Sequence, residues 1–261
     1  MVFTLGPRAK SAGYRLVAFD QIGSTNSEAM ARVRAGERGP AWFVTSEQTA
    51  GRGRRQRAWF APRGNLAASV LETVDASPAV AATLSFAAGL ALEAALRAVA
   101  GPAITFSLKW PNDVLAGKAK LTGILLEAEE IPGERLAVVV GMGTNIVAAP
   151  EGTPTPATSL KALGIVVTAE ALFAALSDSW TEFWGVWDQG RGFGEIRRRW
   201  LALATGLGQP VAVQIGSATI TGTFDTIDEQ GCMIVKTASG EAIPVSAGDV
   251  HFGPAASAGA S

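Results

Sequence analysis

The sequence predicts a fold of mixed helices and strands in which antiparallel pairing dominates, with one large and one small domain. Several β segments are joined by turns of only a few residues, and connections that short favour antiparallel neighbours. Two amphipathic helical patterns follow later in the chain. From Pro210 onward, short alternating runs are separated by glycine- and aspartate-containing turns, which is typical of a small β-barrel. At 261 residues the chain is long enough to form both domains.

The first elements are a lead-in, a strand and a helix. Residues 1–13 show little apolar periodicity and are predicted to be an extended, flexible lead-in. The first strand is predicted from Tyr14 to Phe19. Thr25 and Glu28 then fit a capping box for a helix that ends before Gly36.

A glycine- and arginine-rich loop separates the next two predicted strands, Trp42 to Ser46 and residues 65–73. A loop of about fifteen residues inside a compact domain is usually functional or disordered. Ser77 and Pro78 then begin an alanine-rich helix that continues through Val99. Since this helix is apolar nearly all round, it should be buried.

Three β segments and two amphipathic helices complete the large domain. The β segments are predicted at residues 104–110, 121–128 and 136–142, and the helices at residues 168–189 and 193–203. We interpret the tryptophans of these helices as core residues. The predicted division is a flexible lead-in at 1–13, a large domain at 14–208, a small β domain at 209–253 and a flexible tail at 254–261.

Charge and composition exclude several classes of protein. The 22 basic and 23 acidic residues leave a formal net charge of -1, which argues against a whole-protein surface for nucleic acid or membranes. We find no apolar run long and pure enough to span a membrane, and the N-terminus lacks the apolar core of a secretory signal. Cys232 is the single cysteine and, with His251, makes no credible metal site. We therefore predict a cytoplasmic protein without a protein-bound metal and without membrane association.

The segment TAGRGRRQRAWFAPRGN is the first candidate site. Its glycines allow backbone N–H groups to approach an anion, and its guanidinium groups can pair with carboxylate or phosphate oxygens. An alternative is that this segment contacts RNA, which would make the protein a non-enzymatic binding module. The low net charge, the short run and the flanking strands favour an anion-binding active-site loop.

Two further motifs place charged side chains at strand ends. KWPNDV contains Lys109, Asn112 and Asp113, and KLTGILLE begins with Lys120. Taken alone, Lys120 could limit pairing at a sheet edge and Asp113 could simply form a turn. The combination of motifs favours a shared pocket.

Five motifs in this order resemble those of biotin–protein ligases: STN at residues 24–26, GRGRRQRAW at 51–59, KWPND, KLTGILLE and GMGTNI at 141–146. The resemblance is to the biotin–[acetyl-CoA-carboxylase] ligase or holocarboxylase synthetase family, in its monofunctional type without a DNA-binding domain. It implies an α+β catalytic domain like that of class II aminoacyl-tRNA synthetases, with a mixed, largely antiparallel sheet, and an SH3-like C-terminal domain.

The resemblance also implies an activity. Such an enzyme makes biotinyl-5′-AMP from biotin and ATP, with Mg²⁺ expected, and transfers biotin to a lysine of a biotin carboxyl carrier protein. No DNA binding is expected, and a homodimer is possible. A lipoate– or octanoate–protein ligase of the same fold is the nearest alternative, although the glycine triplet and nearby histidine expected of it are missing here.

The resemblance assigns roles to individual residues. Lys120, Arg52 and Asp113 would be catalytic. The residues implied to bind biotin are Ser24, Thr25, Asn26, Gln48, Gly51, Arg52, Gly53, Arg54, Lys120 and Gly123. Those implied to bind ATP are Arg52, Arg55, Trp59, Lys109, Asn112 and Asn145. This chain departs from the common motif at Gln56, where glycine is usual, so we expect the ordering of the loop to be particular to this protein.

Overall fold

The computed structural model describes residues 2–131, 135–153 and 155–252. The predicted tail at 254–261 lies outside the described residues. The large domain contains a seven-stranded sheet, and the C-terminal part of the chain contains a five-stranded sheet. The helices are α1 (Pro7–Ser11), α2 (Thr25–Arg34), α3 (Pro78–Ala82), α4 (Leu84–Ala100), α5 (Ala169–Trp187) and α6 (Phe193–Ala202).

The seven strands of the large sheet lie in the order β1-β2-β3-β7-β6-β5-β4. Only β1 and β2 are parallel neighbours, and the other adjacent pairs are antiparallel. The mixed, largely antiparallel sheet expected from the short turns is therefore confirmed. Its strands are β1 (Arg15–Phe19), β2 (Ala41–Thr45), β3 (Leu66–Val74), β4 (Phe106–Lys109), β5 (Asp113–Ala116), β6 (Ala119–Glu130) and β7 (Leu136–Thr144).

The two faces of this sheet are covered differently. The helices α4 and α5 contact each other and pack on one face, where they bury most of the core, including Trp42, Trp180 and Trp187. The short helix α2 packs on the other face with a smaller apolar cluster. Because α2 covers only part of that face, the remainder of β6 and β7 is available to line a cleft.

The α3–α4 region differs from the single predicted helix. Ser77 caps α3 through the backbone N–H of Val80, and Gly101, with φ of 72°, ends α4, as expected. The helix is interrupted at Thr83. By length and composition the stretch Pro78–Ala100 does qualify as a candidate membrane span, contrary to the sequence prediction, but 72% of its apolar window is buried inside the protein. This stretch therefore belongs to the core of the protein.

Three other local predictions need correction. Residues 7–11 form a helix whose Ala9 is fully buried against α5, so the N-terminal segment is not extended. The N-cap of α2 is Ser24, one residue before the predicted Thr25, because its hydroxyl accepts from the N–H of Ser27. Asp113 begins strand β5 and pairs with Lys109, so it lies just after the turn.

The C-terminal sheet is entirely antiparallel, in the order β11-β10-β9-β8-β12. Its strands are β8 (Pro210–Ile215), β9 (Ala218–Ile227), β10 (Met233–Lys236), β11 (Ala242–Val245) and β12 (Asp249–Phe252). The C-terminal β domain is confirmed, while its bounds at 209–253 and its SH3-like closure stay predictions. The indole of Trp110 donates to the carbonyl of Gly231 at 3.1 Å, which ties this domain to the KWPND motif.

Candidate functional site

A cleft of about 530 Å³ lies where β6, β7, the N-terminus of α2, the arginine-rich segment and strand β12 meet. This volume is within the range of small-molecule sites. Most of the residues that the resemblance implies line this cleft: Ser24, Thr25, Asn26, Gln48, Arg52, Gly53, Arg54, Trp59, Lys109, Asn112, Asp113, Lys120, Gly123 and Asn145. Gly51 and Arg55 do not line it.

One end of the cleft is built from uncharged polar groups around the first turn of α2. Thr25 and Asn26 are buried, and Ser69 of β3 lies within hydrogen-bonding distance of both, 2.7 Å from the Thr25 hydroxyl and 2.6 Å from Asn26 Oδ1. Both protons of the Asn26 amide are already used, since Nδ2 donates to the Leu125 carbonyl and to Glu127. Asn26 therefore has no amide proton left for a ligand in this arrangement.

Gln48 uses its amide oxygen within the protein and, unlike Asn26, keeps its amide protons available. Its Oε1 accepts from the backbone N–H and the hydroxyl of Thr25, at 2.8 and 3.1 Å. These two bonds fix the orientation of the amide and leave Nε2 as a donor for a ligand. A Cβ at Gly51 would lie 2.8 Å from that Nε2 and 2.6 Å from the Trp59 carbonyl. Gly51 thus shapes the pocket wall, although it does not line the cleft.

The arginine-rich segment folds over the cleft and is held by carboxylates from two directions. Arg52 pairs with Glu127 of β6 at 3.3 Å. Arg55 and Arg57 both pair with Asp249 of β12, at 2.8 and 2.6 Å. Burial raises the pKa of Asp249, but the hydrogen bond and charge of Arg57 and the charge of Arg55 outweigh it, so the net pKa is lowered.

The backbone of this segment passes through the left-handed region at two non-glycine residues. Arg55 has φ of 55° and Gln56 has φ of 59°. This conformation favours glycine, which explains physically why glycine suits position 56. Gln56 also places its Oε1 3.4 Å from Arg52 Nη1, so its side chain contributes a contact that glycine cannot make.

Two cations in the cleft have no carboxylate partner among the described residues. Arg54 donates to Asn112 Oδ1 at 3.3 Å and is in no ion pair, and the side chain of Lys109 makes neither an ion pair nor a hydrogen bond. Burial lowers the pKa of both groups, and neighbouring Arg55 and Lys120 respectively lower it further. The charges of Asp113 and Asp249 oppose this shift from beyond ion-pair distance. A half-buried cation without a carboxylate in direct contact is a favourable site for an anionic ligand.

Lys120 lies beside these cations and is paired. Its Nζ is 2.6 Å from Asp113 Oδ1 and 5.4 Å from the centre of the Trp59 ring. The indole of Trp59 lies against two glycines that face each other across β6 and β7: a Cβ would come within 3.0 Å of it at Gly123 and 2.4 Å at Gly143. Gly123, implied by resemblance to admit a ligand, therefore makes room for Trp59 in this structure.

Asn145 follows β7 and is buried at the edge of the cleft. Its Nδ2 donates to the carbonyl of Thr158 at 3.1 Å, which orients the amide. Its Oδ1 is buried without a hydrogen-bond partner in the described part of the chain. Because an unsatisfied buried acceptor is unfavourable, Asn145 Oδ1 is well placed to accept a hydrogen bond from a ligand.

Four residues of the site have no functional role in the sequence analysis, which considers His251 only as an unsuitable metal ligand. Glu127 lay within KLTGILLE without a role, and Ser69 had no motif. Asp249 and His251 belong to the C-terminal domain and line the cleft. Asp249 is 192 and 194 residues away from the arginines that it binds, so no local pattern could have indicated the contact.

Comparisons with known proteins show which family this chain resembles. Residues 20–145 match the family described as Biotin/lipoate A/B protein ligase family, and residues 206–253 match the Biotin protein ligase C terminal domain. The biotin–[acetyl-CoA-carboxylase] ligase of Paracoccus denitrificans is 38% identical over 236 residues, covering 88% of this chain and 97% of that protein.

Two further comparisons extend over most of the chain. The protein of the same name from Mycobacterium tuberculosis is 35% identical over 252 residues, covering 93% of this chain and 90% of that protein. The biotin protein ligase from Aquifex aeolicus, solved in complex with biotin and ATP, superposes with a TM-score of 0.76 at 25% identity, covering 92% of this chain and 99% of that one. This chain therefore belongs to the biotin protein ligase family.

Proposed function

We propose that this chain is an ATP-dependent biotin–protein ligase, which forms biotinyl-5′-AMP and transfers biotin to a lysine of a carboxyl carrier protein. One observation carries the proposal: a single cleft combines an uncharged hydrogen-bonding pocket with two unpaired cations, Arg54 and Lys109. Such a cleft suits a substrate with a neutral polar head and a second substrate with phosphates. Relatives named as ligases and a neighbour that holds biotin and ATP support it.

In the first step, a carboxylate oxygen of biotin attacks the α-phosphorus of ATP. A new acyl–phosphate bond forms, and the bond to pyrophosphate breaks with its electron pair leaving on pyrophosphate. Arg54 and Lys109 would balance the charge of the phosphates, and Lys120 would offset the repulsion between carboxylate and phosphate. Gln48 Nε2 and the first turn of α2 would orient the head of biotin.

In the second step, the amine of the acceptor lysine attacks the acyl carbon and AMP leaves with the bonding electrons. The attacking amine must lose a proton to give the neutral amide. Asp113 is the candidate to accept it or to orient the amine, since its carboxylate lies in the cleft beside Lys120. Arg52 is already paired with Glu127, so its role is better described as orienting the arginine segment.

The names of the relatives support an acceptor, and the other assignments remain predictions. Two of them carry acetyl-CoA carboxylase in their names, which points to the carrier domain of a biotin-dependent carboxylase as the acceptor. Mg²⁺ would arrive bound to ATP, because the described residues contain no group of three acidic, histidine or cysteine side chains placed to hold a metal. We further propose a cytoplasmic location, no DNA binding and, as one possible assembly, a homodimer.

The test is exchange of labelled pyrophosphate into ATP, with biotin, lipoate and octanoate supplied in parallel. Biotin-dependent exchange, followed by transfer to a carrier protein, is the expected result. Exchange with lipoate or octanoate but not biotin would assign the neighbouring activity of the same family. Absence of exchange together with steeply salt-dependent RNA binding would favour the non-enzymatic alternative.

A further inference from the structure

Glu127 of β6 has a carboxylate that two separate parts of the site share. Its Oε2 accepts from Asn26 Nδ2 at 2.9 Å, and Arg52 Nη2 lies 3.3 and 3.4 Å from its two oxygens. Asn26 belongs to the first turn of α2, and Arg52 belongs to the arginine-rich segment. One carboxylate thus joins the pocket wall to the segment that covers it.

We propose that Glu127 is a positioning residue that holds the arginine-rich segment closed over the pocket formed by the start of α2. The proposal rests on the proposed function, because it assigns that pocket to the head of biotin. Glu127 contacts neither substrate in this scheme. It acts through Arg52 and Asn26, so its effect should appear mainly in biotin binding.

The orientation of Asn26 depends on this carboxylate. Asn26 Oδ1 lies 2.6 Å from the Ser69 hydroxyl, and its other amide proton goes to the carbonyl of Leu125. Glu127 accepts the remaining proton, so the amide has one arrangement that satisfies all its partners. Without that acceptor, Asn26 and the adjoining Thr25 lose part of the network that fixes their positions.

Glu127 is the charged partner that holds the Arg52 side chain in position. The other contacts of Arg52 are with Ser27 Oγ at 3.0 Å and Gln56 Oε1 at 3.4 Å, both uncharged. Both members of the ion pair are largely shielded, with side-chain exposures of 32% and 28%. If the segment opened, Glu127 would remain partly buried without a cation. This penalty favours the closed segment even before a ligand binds.

Glu129 provides a matched control. It lies two residues further along β6, so its side chain emerges on the same face. It also pairs with an arginine, Arg34 of α2, at 2.8 Å. Neither glutamate lines the cleft itself, but Arg52, the partner of Glu127, lines it and Arg34 does not. Glu127→Gln and Glu129→Gln therefore remove equivalent charges from one strand, and only the first removes a contact with the arginine-rich segment.

The experiment measures two quantities in the full chain: the KM values for biotin and ATP in pyrophosphate exchange, and the rate of trypsin cleavage after Arg52, Arg54, Arg55 and Arg57 without ligands. For Glu127→Gln we expect the KM for biotin and the cleavage rate each to rise about 10-fold, as the loss of a charge-assisted hydrogen bond implies. The KM for ATP should change less than about twofold, by the same free-energy relation. Glu129→Gln should match the unmodified protein.

Equal behaviour of the two variants in both measurements would overturn the proposal, even if the unmodified protein is an active ligase. If the unmodified protein shows no biotin-dependent exchange, the proposed function fails, while the cleavage rates still test the closed segment. A melting temperature is recorded for each variant. If Glu127→Gln folds poorly, Arg52→Gln removes the same ion pair from the segment side, and it must show the same faster cleavage.

Discussion

Asp249 on the last strand of the C-terminal sheet lies 2.6 Å from Arg57 of the large domain, and the same carboxylate pairs with Arg55 at 2.8 Å. All three side chains are partly exposed, so the pairs should contribute less than about 1 kcal/mol each to global stability. Their main effect is local. They hold a segment in which two non-glycine residues adopt positive φ.

Asp249→Asn should therefore lower activity more than it lowers stability. Without the carboxylate the segment loses both ion pairs, and the unfavourable backbone at Arg55 and Gln56, about 1 kcal/mol or more per residue, favours opening. We expect biotin-dependent exchange to fall roughly 10-fold with little change in the urea midpoint. Asp188→Asn, which removes an exposed pair with Arg191, serves as the control and should leave exchange unchanged.

Lys120→Ala should affect both chemistry and stability. Removing the ammonium should reduce adenylate formation by a factor of about 10² to 10³, the range typical of a lost charge-stabilising group. It also leaves Asp113 partly buried without its partner, which should destabilise the fold. Lys120→Ala combined with Asp113→Asn should recover stability but not exchange, measured by urea unfolding and pyrophosphate exchange. Recovery of exchange in the double variant would remove Lys120 from the proposed chemistry.

Gly143→Ala should displace Trp59 from the sheet. The new Cβ would lie 2.4 Å from Trp59 Nε1, closer than atoms can approach, so the indole must move. We expect the KM for ATP to rise about 10-fold, which corresponds to roughly 1.4 kcal/mol of lost binding. Gly194→Ala is the matched control, because its Cβ meets nothing within 4 Å. An unchanged KM would show that Trp59 does not act on the nucleotide.

Glu72 should make the stability of the protein depend on pH. Burial raises the pKa of Glu72 to about 7 from its ordinary 4.5, although hydrogen bonds from Tyr14 and Trp180, at 2.5 and 2.9 Å, counteract part of the effect. As pH rises, the unfolded chain releases this proton first. Stability should therefore fall between pH 4.5 and about 7 and stay level above that range.

The measurement is urea unfolding at pH 5 and pH 8. The loss attributable to Glu72 should be on the order of 3 kcal/mol at most, from about 1.4 kcal/mol for each pH unit of pKa difference. Glu72→Gln keeps an acceptor for Tyr14 and Trp180 and should abolish most of this pH dependence. Equal slopes in the two proteins would show that Glu72 does not titrate in this range.

Local sequence patterns predicted the elements whose stability is local. The cap at Ser77, the end of α4 at Gly101 and the antiparallel strands around short turns follow from side-chain chemistry and φ preferences within a few residues. The predicted bounds of helices and strands were wrong where tertiary contacts decide the local structure. Residues 7–11 form a helix in which Ala9 is buried against α5. One buried alanine gives the local sequence no apolar periodicity, so the sequence pattern did not indicate this helix.

The sequence by itself determined that the arginine-rich segment belongs with KWPND, KLTGILLE and GMGTNI, because those residue types and their order carry recognisable chemistry. Only the tertiary structure decided which of its charges remain free. Arg52 pairs with Glu127, and Arg55 and Arg57 share Asp249, while Arg54 forms an ion pair with no carboxylate in the described part of the chain. Charge pairing depends on distances between residues far apart in the chain, and no local pattern specifies those distances.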